Sequence, residues 1–377
     1  MAVAAVSLVV YFGGTGYDGV AGTDRRMADE LAALTPVLYV DPPRSVLTPL
    51  IHPHLAASLR GPALREVRAG LWWLTPRVLP GAQRPGMRHV TDALIRRAAR
   101  RAAARLGMRV PAVVVAGPGD LLGAVPGARA VYYATDDLVA GAALLGQSAR
   151  HLRAAQARQL ARADAVAVVS PVLRERLAGA VVIPNGCTPV DADAAPWPGD
   201  VPGSFTGPVA GFVGHINARI DLTLLEAVAG SGRPLLLVGP HDPSYQPARF
   251  AALVARANVC WTGRKPAEEL ASYLKVIDVG LTPYATSDFN RASFPIKTLD
   301  YLAAGRGVVS TDLPATAWLG TDLVRTATHD GFAAAVEKEL AVPRTPELQA
   351  RRRGFAERHT WSRRARDLAA LLGLEND

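Results

Sequence analysis

The rhythm of apolar runs constrains this chain most. Runs of four to eight residues recur between longer Ala/Arg/Leu stretches of helical spacing, the pattern of a parallel sheet covered by helices on both faces. Strands are expected at Val6–Phe12, Val37–Val40, Leu71–Leu74, Val113–Ala116, Ala130–Tyr133, Val166–Val169 and Val181–Ile183, with helices at 24–34, 89–106, 146–162 and 171–178. A stretch rich in Pro, Gly and Asp, from Pro184 to Pro208, interrupts the rhythm and reads as an interdomain linker with little to pack. The rhythm then restarts: strands Val209–Val213, Leu235–Val238, Val259–Trp261, Val279–Thr282 and Val308–Ser310 alternate with helices near 221–229, 247–256, 266–275, 296–304 and 331–340. An Arg-rich helix over 346–372 ends the chain.

At roughly 150 residues per domain, 377 residues favour two domains, each able to bury its own core. The expected fold class is α/β: two Rossmann-like α/β/α domains facing across a cleft, over 1–195 and 205–345. A C-terminal helix at about 350–377 is a candidate to pack back on the first. With 49% hydrophobic and 20% charged residues, a disordered or collagenous chain is excluded. Cys187 and Cys260 fit neither a disulfide framework nor metal-ligand spacing, and a cytoplasmic setting is expected. The first apolar run, Ala2 to Phe12, is too short to cross a bilayer and lacks preceding basic residues.

Charge is placed unevenly. The chain carries 42 Lys+Arg against 33 Asp+Glu, a net +9, and its lysines are only Lys265, Lys275, Lys297 and Lys338. Residues 1–200 hold 22 Arg against 15 acids, and residues 60–109 alone hold 12 Arg against 2 acids; residues 201–377 hold 20 Lys+Arg against 18 acids. Within the basic block, which includes Trp72-Trp73, Arg97, Arg101 and Arg105 recur at i, i+4, i+8, with Arg96 and Arg100 beside them. Such a face attracts anionic headgroups by up to about 1 kcal/mol per residue, so an anionic membrane surface is a candidate partner. The plain alternative is a solvated outer helix. No nucleic-acid motif accompanies the charge, and no nucleic-acid partner is expected.

Gly14-Thr15-Gly16-Tyr17-Asp18-Gly19 matches G-x-G-x-x-G between a strand and a helix, with Asp41 at the end of the next strand. This spacing suits a dinucleotide: glycines let backbone approach a pyrophosphate, and the acid takes a ribose hydroxyl. An NAD(P)-dependent oxidoreductase is therefore the alternative function. Against it, Pro42-Pro43 breaks the chain after Asp41, and the polar Thr23-Asp24-Arg25-Arg26 starts the helix. The favoured reading is an acceptor-side loop carrying Gly14, Thr15 and Asp18.

Four ordered segments carry a more specific signal: Gly211–Asp221, Leu235–Pro240, Val259–Arg264 and Phe294–Ser310, preceded by Val169-Ser-Pro171 and Ile183-Pro-Asn-Gly186. Over about residues 165–320 this set resembles the C-terminal domain of GT-B glycosyltransferases, especially the family-4-like bacterial group that includes teichuronic-acid and exopolysaccharide transferases. The residues agree with it. In the first segment a strand ends in glycine, so backbone N–H groups at Gly214 and His215 can face a diphosphate while Arg219 supplies charge. In the last, Pro295 suits a helix start, placing Ile296, Lys297 and Asp300 at its N-terminus, a good phosphate site. The alternative for Lys297 and Asp300 is an i,i+3 surface ion pair.

The resemblance implies that Lys297 meets the donor phosphates and Asp300 the ribose, with Gly239, Gly263, Arg264 and Tyr284 around the nucleotide. It also implies a nucleotide-diphosphate sugar as co-substrate and a glycan, lipid-linked or small-molecule acceptor. The glutamate usual in the family eight residues before the second acid is Ala292 here, leaving Asp288, Asn290 or Arg291 as substitutes. For inversion, a base is needed at the acceptor hydroxyl. Tyr132-Tyr133-Ala134-Thr135-Asp136-Asp137 resembles the tyrosine-x-x-x-aspartate segment of relatives, which makes Asp136 the first candidate and Asp137 the second. Asp191-Ala-Asp193 matches D-x-D but lies in the Pro-rich stretch. No metal and no separate cofactor are expected. Association with the inner face of the membrane would be peripheral, through residues 60–109.

Overall fold

The structure is a computed structural model and describes residues 7–19, 21–45, 62–82, 84, 86–205 and 207–374. Its chain forms two compact units, Met1–Pro184 with Trp361–Asp377, and Asn185–Thr360.

The first unit is built on β1 (Ser7–Phe12), β2 (Val37–Val40), β3 (Arg44–Ser45), β4 (Leu64–Arg68), β5 (Leu71–Leu74), β6 (Arg77–Val78), β7 (Arg109–Val115), β8 (Arg129–Ala134), β9 (Ala165–Val168) and β10 (Val181–Val182). Eight of them form a sheet in the order β10-β9-β8-β7-β1-β2-β5-β4, while β3 and β6 pair apart. All its pairings are parallel except β4 with β5. β1 and β2 are apolar along their length because helices cover both faces; Leu8, Val10, Val37 and Leu38 are fully buried. Each such side chain contributes about 1.5–3 kcal/mol relative to exposure.

Among the described residues up to Pro184 the helices are α1 (Thr23–Leu31), α2 (Met87–Leu106), α3 (Ala149–Leu160) and α4 (Pro171–Arg176). Ser170 of the Val-Ser-Pro motif caps α4, its hydroxyl accepting from Leu173 N at 3.2 Å.

The second unit repeats the plan with β11 (Ala210–Val213), β12 (Leu235–Val238), β13 (Val259–Trp261), β14 (Val279–Thr282), β15 (Gly307–Thr311) and β16 (Arg325–Ala327). Their order, β13-β12-β11-β14-β15-β16, is parallel throughout and is the Rossmann order 3-2-1-4-5-6. The helices are α5 (Leu222–Gly230), α6 (Pro247–Val254), α7 (Leu270–Val276), α8 (Asp288–Ala292), α9 (Ile296–Ala303), α10 (Pro314–Trp318), α11 (Phe332–Leu340) and α12 (Pro346–Glu357). Phe212, Leu225, Leu237, Leu281 and Phe332 join one core between strands and helices.

Three features depart from the sequence reading. The C-terminal helix is two helices, α12 and α13 (Trp361–Leu371), with α13 packed on α1. The break falls where Cys187 pairs with Thr360 and Cys187 N donates to His359 O at 2.9 Å, so backbone there is spent outside a helix. The Pro-rich stretch is not loose: Ala192, Val201 and Phe205 are buried, and Asp193 gathers the guanidinium groups of Arg306, Arg344 and Arg353. Edge strands β4 and β16 escaped the apolar-run rule because edges are half-polar. Val6 of the first expected strand lies outside the described residues.

Candidate active site

In the second unit the site grows from strand ends. Gly214 follows β11 and Gly239 follows β12; Gly214 N donates to Val238 O and Gly239 N donates to Gly263 O, both at 2.8 Å. The three glycines therefore line the carboxyl edge of the sheet, where Rossmann folds bind ligands, but the Gly214 N–H expected to face a diphosphate is committed to Val238 O within the sheet. Gly239 has φ +132°, and a Cβ on it would stand 2.0 Å from Gly214 O, so only glycine fits. His215 and Arg264 are exposed at this edge.

Arg219 is held in place. Its Nε donates to Asn290 Oδ1 at 3.2 Å and its Nη2 to Ser293 Oγ at 3.1 Å, while the guanidinium lies 4.8 Å from the Phe289 ring and 5.7 Å from the Tyr284 ring. Asn290 is buried and donates its amide hydrogens to Arg219 O and Ala285 O, which stitches the loop after β11 to the loop after β14. Asn290 is thus committed to the protein, whereas Asp288 and Arg291 are exposed. Ala292, at the glutamate position, is fully buried.

α9 begins at Pro295 with no side chain capping it and no acid in its first turn. Its first amide groups and Lys297 therefore offer positive potential at one point. Lys297 Nζ lies 3.6 Å from Asp300 Oδ2, so the ion pair and the shared helix face occur together. Asn185 of the Pro-Asn-Gly motif braces this start, its Nδ2 donating to Phe294 O at 2.6 Å. Tyr301, one turn further, fills the gap where β11 and β14 diverge: its hydroxyl accepts from Val213 N at 2.8 Å and donates to Leu281 O at 3.4 Å. Its ring lies where a Cβ on Gly280 would stand, 2.1 Å away.

The Gly14–Gly19 loop of the first unit is occupied by the protein itself. A Cβ on Gly13 would stand 2.0 Å from the Tyr39 hydroxyl, which donates to Thr15 O at 2.7 Å. A Cβ on Gly16 would stand 2.5 Å from Arg44 Nη2. Asp18 takes Arg44 in a two-point pair at 2.7 and 3.0 Å, and that guanidinium holds its carboxyl below the usual range. Asp41 is buried and accepts from Tyr17 N at 2.8 Å and the Thr75 hydroxyl at 3.2 Å, with Arg44 at 3.2 Å. The glycines make room for Tyr39 and Arg44, and the acid at the ribose position faces inward.

Of the two candidate bases, Asp137 is buried, accepts from Ala140 N at 2.9 Å and pairs with Arg176, so it shapes the turn after β8. Asp136 is half-buried. Beside it lies an acid the sequence reading passed over, Asp24, which accepts from Gly14 N at 2.7 Å and from the Tyr11 hydroxyl at 3.4 Å. Burial, reinforced by Asp136, pushes Asp24 up to about 6. The only signal for it was an acid in the first turn of α1, a position usually explained by the helix itself.

The D-x-D acids go to structure: Asp191 accepts from Ala194 N at 3.2 Å and Asp193 pairs with its three arginines. Among the described residues no helix is long and apolar enough to cross a membrane.

One sheet parallel but for its β4 edge and a second, wholly parallel sheet in Rossmann order, with glycine-edged strand ends and an uncapped helix start, define the class: the fold is that of GT-B glycosyltransferases. It is shared with sucrose-phosphate synthase from Thermosynechococcus elongatus (TM-score 0.74, 18% identity, 97% of this chain and 98% of that one). It is shared also with a structure described as trehalose-6-phosphate from E. coli bound with UDP-2-fluoro glucose (TM-score 0.69, 10% identity, 97% of this chain and 98% of that one). Residues 207–341 match the family described as Glycosyl transferases group 1, so the resemblance read from the sequence holds over most of the second unit. A Bacillus subtilis (strain 168) protein provisionally named teichuronic acid biosynthesis glycosyltransferase TuaH is 32% identical over 175 residues. That match covers 45% of this chain and 44% of the relative, less than half of either.

Proposed function

We propose that the protein transfers a sugar from a nucleotide-diphosphate sugar to an acceptor hydroxyl, with the donor on the second unit and the acceptor on the first. The start of α9 carries this reading: uncapped amides, Lys297 in the first turn and the braced segment before them are suited to a diphosphate whose charge grows as it departs. Arg219, fixed by Asn290 and Ser293, adds a cation whose geometry is set before the ligand arrives. Asp300 takes the ribose, the Gly263–Arg264 backbone reads the base, and Tyr284 lines the pocket. The name of the B. subtilis relative and the nucleotide sugar in the E. coli structure support the same chemistry.

On the acceptor side Asp136 is the proposed base if configuration inverts; in a retaining transfer the departing phosphate takes the proton. No metal or resident cofactor enters this scheme. The acceptor is a glycan, lipid-linked or small-molecule hydroxyl. Arg97, Arg100, Arg101 and Arg105 are exposed along α2 and are proposed to bring the first unit to an anionic membrane on its cytoplasmic side.

A thermal-shift panel of UDP, GDP, dTDP and NAD(P) tests the central claim. A nucleotide at about 100 times its Kd adds about 2.7 kcal/mol. One nucleoside diphosphate should raise Tm while NAD(P) leaves it unchanged; stabilisation by NAD(P) alone would overturn the proposal in favour of the oxidoreductase reading.

A further inference from the structure

We propose that a cavity inside the first unit, between the starts of α2 and α3, binds the charged group of an anionic sugar: the phosphate of a sugar phosphate or the carboxylate of a uronic acid. The inference rests on the acceptor reading above and gives it a substrate class.

The cavity measures about 340 Å³, the size of a small-molecule site. Its floor is made by Phe12–Gly14 after β1 and Gly117–Leu121 after β7, the two strands flanking the point where the chain order of the sheet reverses. Arg88 and His89 enter it from the first turn of α2, and His151 and Arg158 from α3. α2 is 20 residues long, begins after Gly86 at φ +81° with no capping side chain, and has no acid in its first turn. An anion there meets helix amides and cationic side chains together.

The acids on the wall are already engaged. Asp120 is paired with Arg162 at 2.6 Å and faces Arg158 and Arg96 at 3.7 and 3.9 Å. Asp41 faces Arg44 at 3.2 Å. Asp92 accepts from Asp120 N at 3.4 Å, and burial pushes its carboxyl up. One buried atom of a wall residue, Gln147 Oε1, lacks a hydrogen-bond partner and suits a sugar hydroxyl. Burial, together with Arg88, Arg158 and His89, holds His151 below its ordinary pKa. Arg88, His89 and His151 stand together on this wall, and a bound oxyanion gains charge-assisted contacts there that a neutral sugar does not.

Calorimetry on the full chain with glucose 6-phosphate, glucuronate, glucose and inorganic phosphate tests the assignment. One of the two anionic sugars should bind at least about tenfold tighter than glucose, as expected for charge-assisted contacts. Preference between them identifies the oxyanion. Arg88→Gln and His151→Gln should each weaken that binding by about tenfold or more, with nucleoside diphosphate binding and Tm unchanged.

Glucose binding as tightly as the anionic sugars would overturn the inference, as would unchanged affinity in both variants. Binding of inorganic phosphate with no gain from a sugar would mean an adventitious ion only and would overturn it too. If a nucleotide binds and no anionic sugar does, the subsite falls while the transferase reading stands. If the anionic sugars bind as described and no nucleotide does, the subsite stands and the transferase reading falls.

Discussion

The loops that follow β1 and β11 occupy equivalent places, each after the first strand of a Rossmann-ordered sheet, yet they use glycine in opposite ways. After β1, the space around Gly13 and Gly16 is filled by Tyr39 and Arg44 of the same unit, and Asp24 takes the amide of Gly14. After β11, Gly214, Gly239 and Gly263 leave a sheet edge lined by backbone, with Arg219 pinned beside it. The number and spacing of glycines are therefore a poor guide to a nucleotide site. What occupies the room they create decides the matter, and that is set by residues distant in sequence.

The comparison can be broken at several points. Gly239→Ala carries the largest expected effect, because its Cβ would strike Gly214 O in a backbone conformation closed to alanine. A loss of about 3–5 kcal/mol in urea unfolding is expected from overpacking plus strain; a loss under about 1 kcal/mol would refute the packing argument.

Lys297→Ala comes next, with turnover falling by about 10²–10³-fold, equivalent to about 2.7–4 kcal/mol, if Lys297 stabilises the leaving diphosphate. Its Tm should barely move, since the 3.6 Å pair with Asp300 is partly exposed. Full turnover in this variant would remove Lys297 from the mechanism.

Asp24→Asn probes the filled loop through pH. An acid raised from 3.8 to about 6 favours the folded state at low pH, so its contribution is present below about pH 4 and is lost as pH rises through 6. Between pH 4 and 7 the parent should lose up to about 3 kcal/mol relative to the variant. Parallel stability curves would show that the carboxyl is not raised.

Gly14→Ala should do least, under about 1 kcal/mol, because its Cβ would meet Ala116 O and Asp24 Oδ2 at 3.3 Å, a tight but adjustable contact. A collapse of nucleotide binding in this variant would return the Gly-rich loop to the donor side and erase the contrast.

Much of this was legible beforehand, and the reasons are physical. Buried parallel strands announce themselves as unbroken apolar runs, which is why β1, β2, β12 and β14 were found within a residue or two. β4 was missed because an antiparallel edge strand reads Leu-Arg-Glu-Val-Arg, with too little burial to leave a pattern. Lys297 and Asp300 were visible because their partners lie within one helical turn. Asn290 was weighed only as a sugar contact, since its tie to Arg219 spans 71 positions. Asp24 looked like an ordinary helix-start acid; its burial comes from Tyr11 and the Gly14 amide, which the fold alone brings to it. The basic block proved composite: Arg65 stacks over Trp73, Arg96 donates to Asp120 O, and among the described residues Arg97, Arg100, Arg101 and Arg105 on α2 and Arg68, Arg77, Arg84 and Arg109 outside it are exposed.

The three-arginine grip on Asp193 has a practical side for anyone dissecting this chain. Arg306 is fully buried, and its guanidinium meets Asp193 at 2.7 Å and Leu274 O at 2.7 Å. A fragment begun at Gly207, where the family match starts, would discard that counterion together with Asp200, the partner of Lys265 and Tyr273. It would leave a buried guanidinium charge without its carboxylate, a condition that proteins tolerate badly. The natural cut for the second unit lies at Asn185, so the proline-rich segment is part of that unit's foundation and should travel with it.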